Sequence, residues 1–412
     1  MTVITDTDTL RAFCERMSHE PFITLDTEFL REKTYWPQLC LVQIGGATEA
    51  AAIDPLAGAM DLKPLYDLLA NEKVLKVLHA ARQDMEIFHQ SMGGKLPTPV
   101  FDTQIAAQVA GLGESVGYEA LVKQLLGQSI DKSQRYTDWS RRPLSASQIE
   151  YALGDVTYLR DAYLKLIERI TKNNRREWIA QEMAEIANPA IYLLQPDEAW
   201  KRIKMRASHP RQLGRLKAFA AWREALAQAE DLPRVRIVRD EVLVEMAVNL
   251  PKDEGEMDRI RGFPGHLKRE WRKQLWEICH KVADLPKEDC PPLPKHDPLP
   301  PQAEGRLEML RMLLKQCARD ADVTPRMVAD KDDLEWLARG SFLNGATAPN
   351  PTLRASPCSV GGSKESPTPH VPCLALTGWR HEVFGKHALG MLQGKLAICL
   401  HPQTGDIIFT EC

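Results

Sequence analysis

The strand-forming runs of this chain are crowded into its first hundred residues, and beyond Asn188 no convincing strand recurs until the last residues. That asymmetry limits the fold more than any other feature, because a sheet has to be built from the front alone and the rest of the chain has to be helical. From Pro21 to Gly46 the chain reads PFITLDTEFL, a polar stretch and QLCLVQIGG, and EAAAID follows over Glu49 to Asp54. Three such runs on short connections predict an antiparallel meander. DLKPLYDLLA (Asp61 to Ala70) has helical periodicity, VLKVLH (Val74 to His79) reads as a buried strand, DMEIFHQSM (Asp84 to Met92) is helical again, and a strand-helix unit begins near Val100. A β-rich start followed by β/α units implies a mixed sheet flanked by helices.

Helical patterns take over at His209 to Gln228, Glu241 to Asn249, Glu256 to Arg261 and Gly265 to Val282. Prolines then crowd into 286–302, a linker that cannot be helical. A second helical block over 303–393 reads as a degenerate repeat of the first, interrupted at 344–373 by a Pro-, Ser-, Gly- and Thr-rich stretch with the composition of disorder. A chain of 412 residues is too long for one core, so two or three domains are expected. Charge divides the same way. Residues 1–200 carry 20 Lys+Arg against 28 Asp+Glu, a balance of −8, and residues 201–281 carry 19 against 12, a balance of +7. One region can gather cations and the other phosphates, although ordinary solvated faces give the same tally. The nine cysteines are scattered and lack zinc-site spacing, which reads as reduced thiols. No secretory start and no bilayer-length apolar run is evident, so a soluble, cytoplasmic protein with no membrane partner is expected.

Asp26 and Glu28 lie two apart at the end of a strand pattern, which points both side chains to one face of the sheet. Such a pair is a ready site for a divalent cation, and equally an ordinary solvent-facing strand end. Ser145 with Gln148 forms a capping box that starts a helix through Tyr151, Asp155 and Tyr158. Tyr151 and Asp155 then share a face one turn apart. Asp84 falls in the first turn of its helix, where an acid also complements the helix dipole. None of these signals is specific alone.

Their combination and order resemble a known family. LDTEFLREKTYWPQLCLVQIG, LHAARQDMEIF, FDTQIAAQ and DKSQRYTDWSRRPLSASQIEYALGDVTYL are similar to bacterial ribonuclease D, an exonuclease with four acidic residues and an active-site tyrosine. The resemblance implies an α/β, ribonuclease H-like mixed-sheet exonuclease domain over 1–188 followed by all-α helical domains. It matches Asp26 and Glu28 to the first motif, Asp84 to the second, and Tyr151 with Asp155 to the third, and it is the family pattern that selects Asp84 over Glu86. It implies a 3′-to-5′ exoribonuclease that uses two divalent ions, Mg²⁺ or Mn²⁺, and releases nucleoside 5′-monophosphates. Hard cations take oxygen ligands, which suits Asp and Glu. By the same resemblance, Asp26, Glu28 and Asp155 hold one ion, Asp26 bridges to the second with Asp84 supporting it through water, and Tyr151 orients the attacking water.

RNA with an accessible 3′ end is the implied partner, tRNA precursors foremost, acted on by a monomer. Lys132, Arg135 and Trp139 lie in a polar loop before the Ser145 helix and are candidates for contacts to RNA phosphates and bases; a packed tryptophan among solvated cations is the competing reading. Asp102 reads as the cap of the helix after it, and His79 as a structural hydrogen-bonding residue. The stretch from His209 to Gly265 resembles the HRDC-type helical domain shared by some helicases and the C-terminal part of ribonuclease D, which implies an RNA-binding domain over 209–285. A DNA exonuclease of the same carboxylate class and a catalytically silent RNA-binding scaffold remain alternatives.

Overall fold

The computed structural model describes residues 2–293, 298–340, 373–404 and 407–412. The front of the chain folds as β1 (Thr2–Ile4), α1 (Thr7–Met17), β2 (Phe22–Leu30), β3 (Gln38–Gly45), β4 (Ala50–Ile53), α2 (Lys63–Leu69), β5 (Leu75–Leu78), α3 (Arg82–Ser91), β6 (Val100–Asp102), α4 (Thr103–Val109), α5 (Tyr118–Leu126), α6 (Ala146–Lys172) and α7 (Arg176–Ile186). The strands form one six-stranded mixed sheet in the order β1-β4-β3-β2-β5-β6. β2–β3 and β3–β4 pair antiparallel, which is the expected meander, whereas β1–β4, β2–β5 and β5–β6 pair parallel. The three residues of β1 are too few to show a period, so this strand is invisible to sequence reading.

The 27 residues of α6 start on the expected capping box: Ser145 Oγ accepts from the Gln148 N–H at 3.2 Å while Gln148 Oε1 accepts from the Ser145 N–H at 3.0 Å. The helix then lies across β2, β3 and β4. Thr24 Oγ1 in β2 donates to the Val156 carbonyl of α6 at 2.8 Å, fixing the helix to the strand that carries the acids. This close approach requires Gly45, because a Cβ there would lie 2.5 Å from Thr24 Oγ1 and 3.2 Å from the Val156 carbonyl oxygen.

Behind the sheet domain, α8 (Pro210–Ala229), α9 (Arg234–Ile237), α10 (Asp240–Val248), α11 (Glu254–Arg259) and α12 (Arg269–Ala283) gather around an apolar core of their own that includes Leu216, Phe219, Leu243, Met257 and Leu275. The β2–β3 loop plugs into it. Tyr35 belongs to that core, its hydroxyl donates to the buried Glu224, and Arg234 engages the same carboxylate at 2.5 and 2.6 Å.

Next come α13 (Pro301–Asp320), α14 (Pro325–Val328), α15 (Lys331–Arg339) and helical turns over 378–392. Their buried side chains, Leu310, Leu313, Leu337 and Phe384 among them, join the core of the sheet domain. Arg380 pairs with Glu182 at 2.5 Å, and Trp379 stacks on Trp178 with centroids 4.3 Å apart. The linker reading over 286–302 needs correction at its end, since Pro301 and Gln302 already belong to α13. Proline is tolerated at a first helical position, where its missing N–H would have no partner anyway. Most of the 344–373 insert lies outside the described residues; Cys373 is described and buried. The chain closes on a hairpin of β7 (Leu396–Leu400) and β8 (Ile407–Glu411). Among the described residues the cysteines are free and six are buried, as thiols filling core positions should be.

Candidate active site

β2 alternates its side chains at the edge of a cavity of about 750 Å³, and Asp26 and Glu28 both line it. Opposite them α6 offers Asp155 and Tyr151. Oxygens of Asp26, Glu28 and Asp155 all come within 4.8 Å of one another. Asp84, buried at the start of α3, lines the same cavity and accepts a short hydrogen bond from Thr27, the residue between the two strand acids. The choice between Asp84 and Glu86 has a structural reason: Glu86 is engaged by Arg31 at 2.6 and 2.8 Å and is spoken for, whereas Asp84 faces Asp26.

The electrostatics follow from four acids sharing one poorly hydrated space. Burial pushes Asp26 well above the usual carboxylate range, with the Asp155 charge adding to it. Burial likewise raises Glu28 to about 10, reinforced by Asp26, Asp155 and Asp84 and opposed by Arg135. Asp155 rises to about 7 through burial, held back by the Tyr151 hydroxyl and by Arg135. Asp84 is also pushed well up, by burial and then by Asp26. Carboxylates kept this close, with Arg135 as the basic group whose charge reaches Glu28 and Asp155, form a site short of positive charge. That is the donor set a divalent cation needs: oxygen ligands, excess negative charge and an open cavity beside them. Tyr151 is itself raised by burial and by the Asp155 and Glu28 charges, so its phenol keeps its proton and works as a hydrogen-bond donor.

Trp139 lines the cavity as a packed ring in its wall. It is 2% exposed, packed with Leu41, Ala152 and Leu153 and set 6.1 Å from the Tyr151 ring, so the indole supports the phenol from beneath. A large apolar ring gains more from that enclosure than from a place on the rim. Lys132 is exposed but paired with Glu119. Arg135 lines the cavity and carries the charge that the acids feel. Asp102 caps α4 by accepting from the Gln104 N–H at 2.7 Å, and also binds the N–H groups of Ala80 and Ala81 at 3.0 and 2.8 Å, where the chain turns into the Asp84 helix. His79 meets Thr103 Oγ1 at 3.0 Å, a structural contact.

Sequence reading missed several supporting residues. Arg142 grips Asp54 with two bonds of 2.6 Å and the carbonyls of Cys40 and Trp139 at 2.8 and 2.7 Å, clamping the loop before α6 to the sheet. Thr27 and Gly45 went unnoticed because neither stands out by composition. Tyr136, between two polar residues, could have been flagged as an aromatic with no apolar neighbours.

Paired strand acids, a third acid on a crossing helix, a fourth on the next α/β unit and a tyrosine line one cavity of a mixed-sheet fold, with the oxygen-rich donor set that metal-dependent nucleases require. Comparison with known proteins agrees. Residues 1–171 match the family model described as 3′-5′ exonuclease, and residues 212–279 match the HRDC domain. The chain is 40% identical to ribonuclease D of Bartonella henselae over 406 residues, 97% of this chain and 92% of that one. It is 42% identical to ribonuclease D of Sphingobium indicum over 404 residues, 97% and 96% of the two chains. Among solved structures it is similar to Escherichia coli RNase D, an exoribonuclease involved in structured RNA processing, at 29% identity and a TM-score of 0.77, covering 95% of this chain and 98% of that one. The chain belongs to the ribonuclease D family and is a hydrolytic 3′-5′ exoribonuclease that uses divalent metal.

Proposed function

We propose that this chain matures the 3′ ends of structured RNAs, tRNA precursors foremost, in the cytoplasm, with Asp26, Glu28, Asp84 and Asp155 as ligands of two Mg²⁺ or Mn²⁺ ions and Tyr151 as the group that orients the attacking water. The single observation behind it is the approach of Asp26, Glu28 and Asp155 to within 4.8 Å beside an open cavity. Bound there, a pair of divalent ions supplies charge neutralisation for the phosphodiester and a more acidic water. The chain's own part is positional: α6 and β2 hold three carboxylates in one place, Thr27 steadies Asp84, and Tyr151, propped by Trp139, presents a donor beside Asp155.

Within this reading, the segment 209–285 is an HRDC-type RNA-holding domain, and 303–393, reached over the Pro-rich linker that ends before Pro301, is a degenerate HRDC-like helical block packed on the core of the sheet domain. Supporting it, Arg236, Arg259, Arg261 and Arg269 are exposed and pair with no carboxylate among the described residues, which leaves them for phosphates. The proposed state is a monomer, since the sequence shows no coiled-coil pattern or swapped element that points beyond one. Among the described residues no helix is long and apolar enough to cross a membrane. The deciding assay follows labelled single-stranded RNA, tRNA precursor and DNA strands with Mg²⁺ or Mn²⁺ added after EDTA treatment. Stepwise loss of 5′-monophosphates from the RNA 3′ end, abolished in Asp26→Ala, is expected; equal or faster digestion of DNA would move the assignment to the DNA alternative.

A further inference from the structure

One aromatic side chain at the active-site cavity is used neither by the carboxylate set nor by any core. Tyr136 is 89% exposed, the most exposed of the large hydrophobic residues among the described residues, and it lines the same cavity as Asp26, Glu28 and Asp155. The segment that carries it is fastened on both sides. Before it, Asp131 Oδ1 accepts from the Ser133 N–H at 2.8 Å and Lys132 pairs with Glu119. After it, Thr137 Oγ1 donates to the Gln134 carbonyl at 2.8 Å and accepts from Gln148 Nε2 at 3.2 Å, and Trp139 is sunk in the core.

The ring is therefore held out by a braced loop. The Arg135 guanidinium lies 5.3 Å from its centroid, which covers one face and leaves the other open. A flat ring kept in water at the mouth of a nuclease cavity forgoes the burial that an aromatic normally gains, and a nucleobase would restore it. Cation and ring side by side also match the two surfaces of a single strand, phosphate and base.

We propose that Tyr136 is a stacking platform for one base of the RNA strand that leads to the cleavage site, with Arg135 backing the ring and meeting the adjoining phosphate. This rests on the reading of the carboxylate cavity as the place where RNA is cut. Stacking accepts any base, so the platform holds the strand without reading its sequence.

The test uses the full-length chain and a set of short RNAs carrying 2-aminopurine at successive positions from the 3′ end, titrated in EDTA so that no strand is consumed. Wild-type protein should quench one position, Tyr136→Ala and Tyr136→Leu should lose that quenching, and Tyr136→Trp should keep it. In Mg²⁺, Tyr136→Ala and Tyr136→Leu should raise KM at least about fivefold with kcat near wild type, and Tyr136→Trp should restore it. Arg135→Ala should flatten the salt dependence of KM, which the tyrosine variants should leave alone, since stacking releases no counterions. Quenching that is the same in wild type and Tyr136→Ala at every position, or a leucine variant as good as tryptophan, overturns the platform. Failure of the wild-type protein to cut RNA would instead strike the reading of the cavity, and the EDTA titration would still decide the role of the ring.

Discussion

Asp155→Asn should make the metal-free protein more stable while removing its activity. The three carboxylates at the site have oxygens within 4.8 Å of one another. Burial raises Asp155 from 3.8 to about 7, and at about 1.4 kcal/mol per unit the pH-dependent cost of ionising it in the fold is about 4 kcal/mol at most. Proton sharing with Asp26 and local relaxation reduce that figure, so a gain on the order of 2 kcal/mol is expected for the variant.

The direction with pH is fixed. A carboxyl whose folded pKa lies above its unfolded one holds a proton in the native state that the unfolded chain has released, so its contribution to stability is complete below about 4 and is lost as pH rises to about 7. Asparagine has no such loss, and it can still accept a hydrogen bond from the Tyr151 hydroxyl. Urea unfolding of both proteins in EDTA at pH 4.5 and pH 8 measures the effect: the advantage of Asp155→Asn over wild type should be larger at pH 8 by about 2 kcal/mol. Adding Mg²⁺ or Mn²⁺ at pH 8 should stabilise wild type much more than the variant, because only wild type keeps the full ligand set. If the difference between the two proteins is the same at both pH values, or the variant is weaker at pH 8, the acids do not form a cluster short of positive charge.

Tyr151→Phe should fold normally and lose about 10²-fold or more in single-turnover rate; a rate within a factor of three of wild type would reduce the phenol to a packing partner of Trp139. Gly45→Ala should cost about 1–3 kcal/mol in urea unfolding, because the new methyl meets Thr24 Oγ1 at 2.5 Å and the backbone of α6 behind it. That variant should also lose activity beyond what its stability explains, since α6 carries both Tyr151 and Asp155; unchanged kcat would show that α6 can shift without disturbing the site.

The front of the molecule was legible because its signals are local. Strand alternation placed Asp26 and Glu28 on one face, and the Ser145 capping box fixed where α6 begins and therefore which residues share a turn. The distance between those two elements is not local, and nothing in the spacing says that Asp155 comes to Asp26; only the family resemblance supplied that. The contacts that make it true, Thr24 to the Val156 carbonyl and the bare Cα of Gly45, join residues more than a hundred positions apart. Trp139 shows the opposite case. A tryptophan in a polar loop next to two cations leaves an RNA contact and a packed ring equally open in the sequence, and Arg142, bonded to Asp54 and to two backbone carbonyls, draws the loop down and buries the indole.

The rear of the chain gave up its helices to periodicity but not its attachments. Tyr35 reads as one more residue in a polar turn, and Glu224 and Arg234 as ordinary charges on a basic helical block. Folded, the phenol is enclosed among the helices, bonded to a glutamate that is 1% exposed and covered by the Arg234 guanidinium 4.7 Å from its ring. The backbone N–H of Trp36 beside it donates to Asp231 Oδ1 at 2.9 Å. A charge pair this deep is retained at a desolvation cost, and removing either member would leave the other unpaired. The β2–β3 hairpin thus carries two of the site acids on one strand and, at its tip, the plug that seats the helical domain. In the proposed division of labour, RNA held by that domain and the carboxylates that cut it are joined by a pinned loop of seven residues between Leu30 and Gln38, which gives the basic block a fixed bearing on the cleavage site and not merely a tether to it.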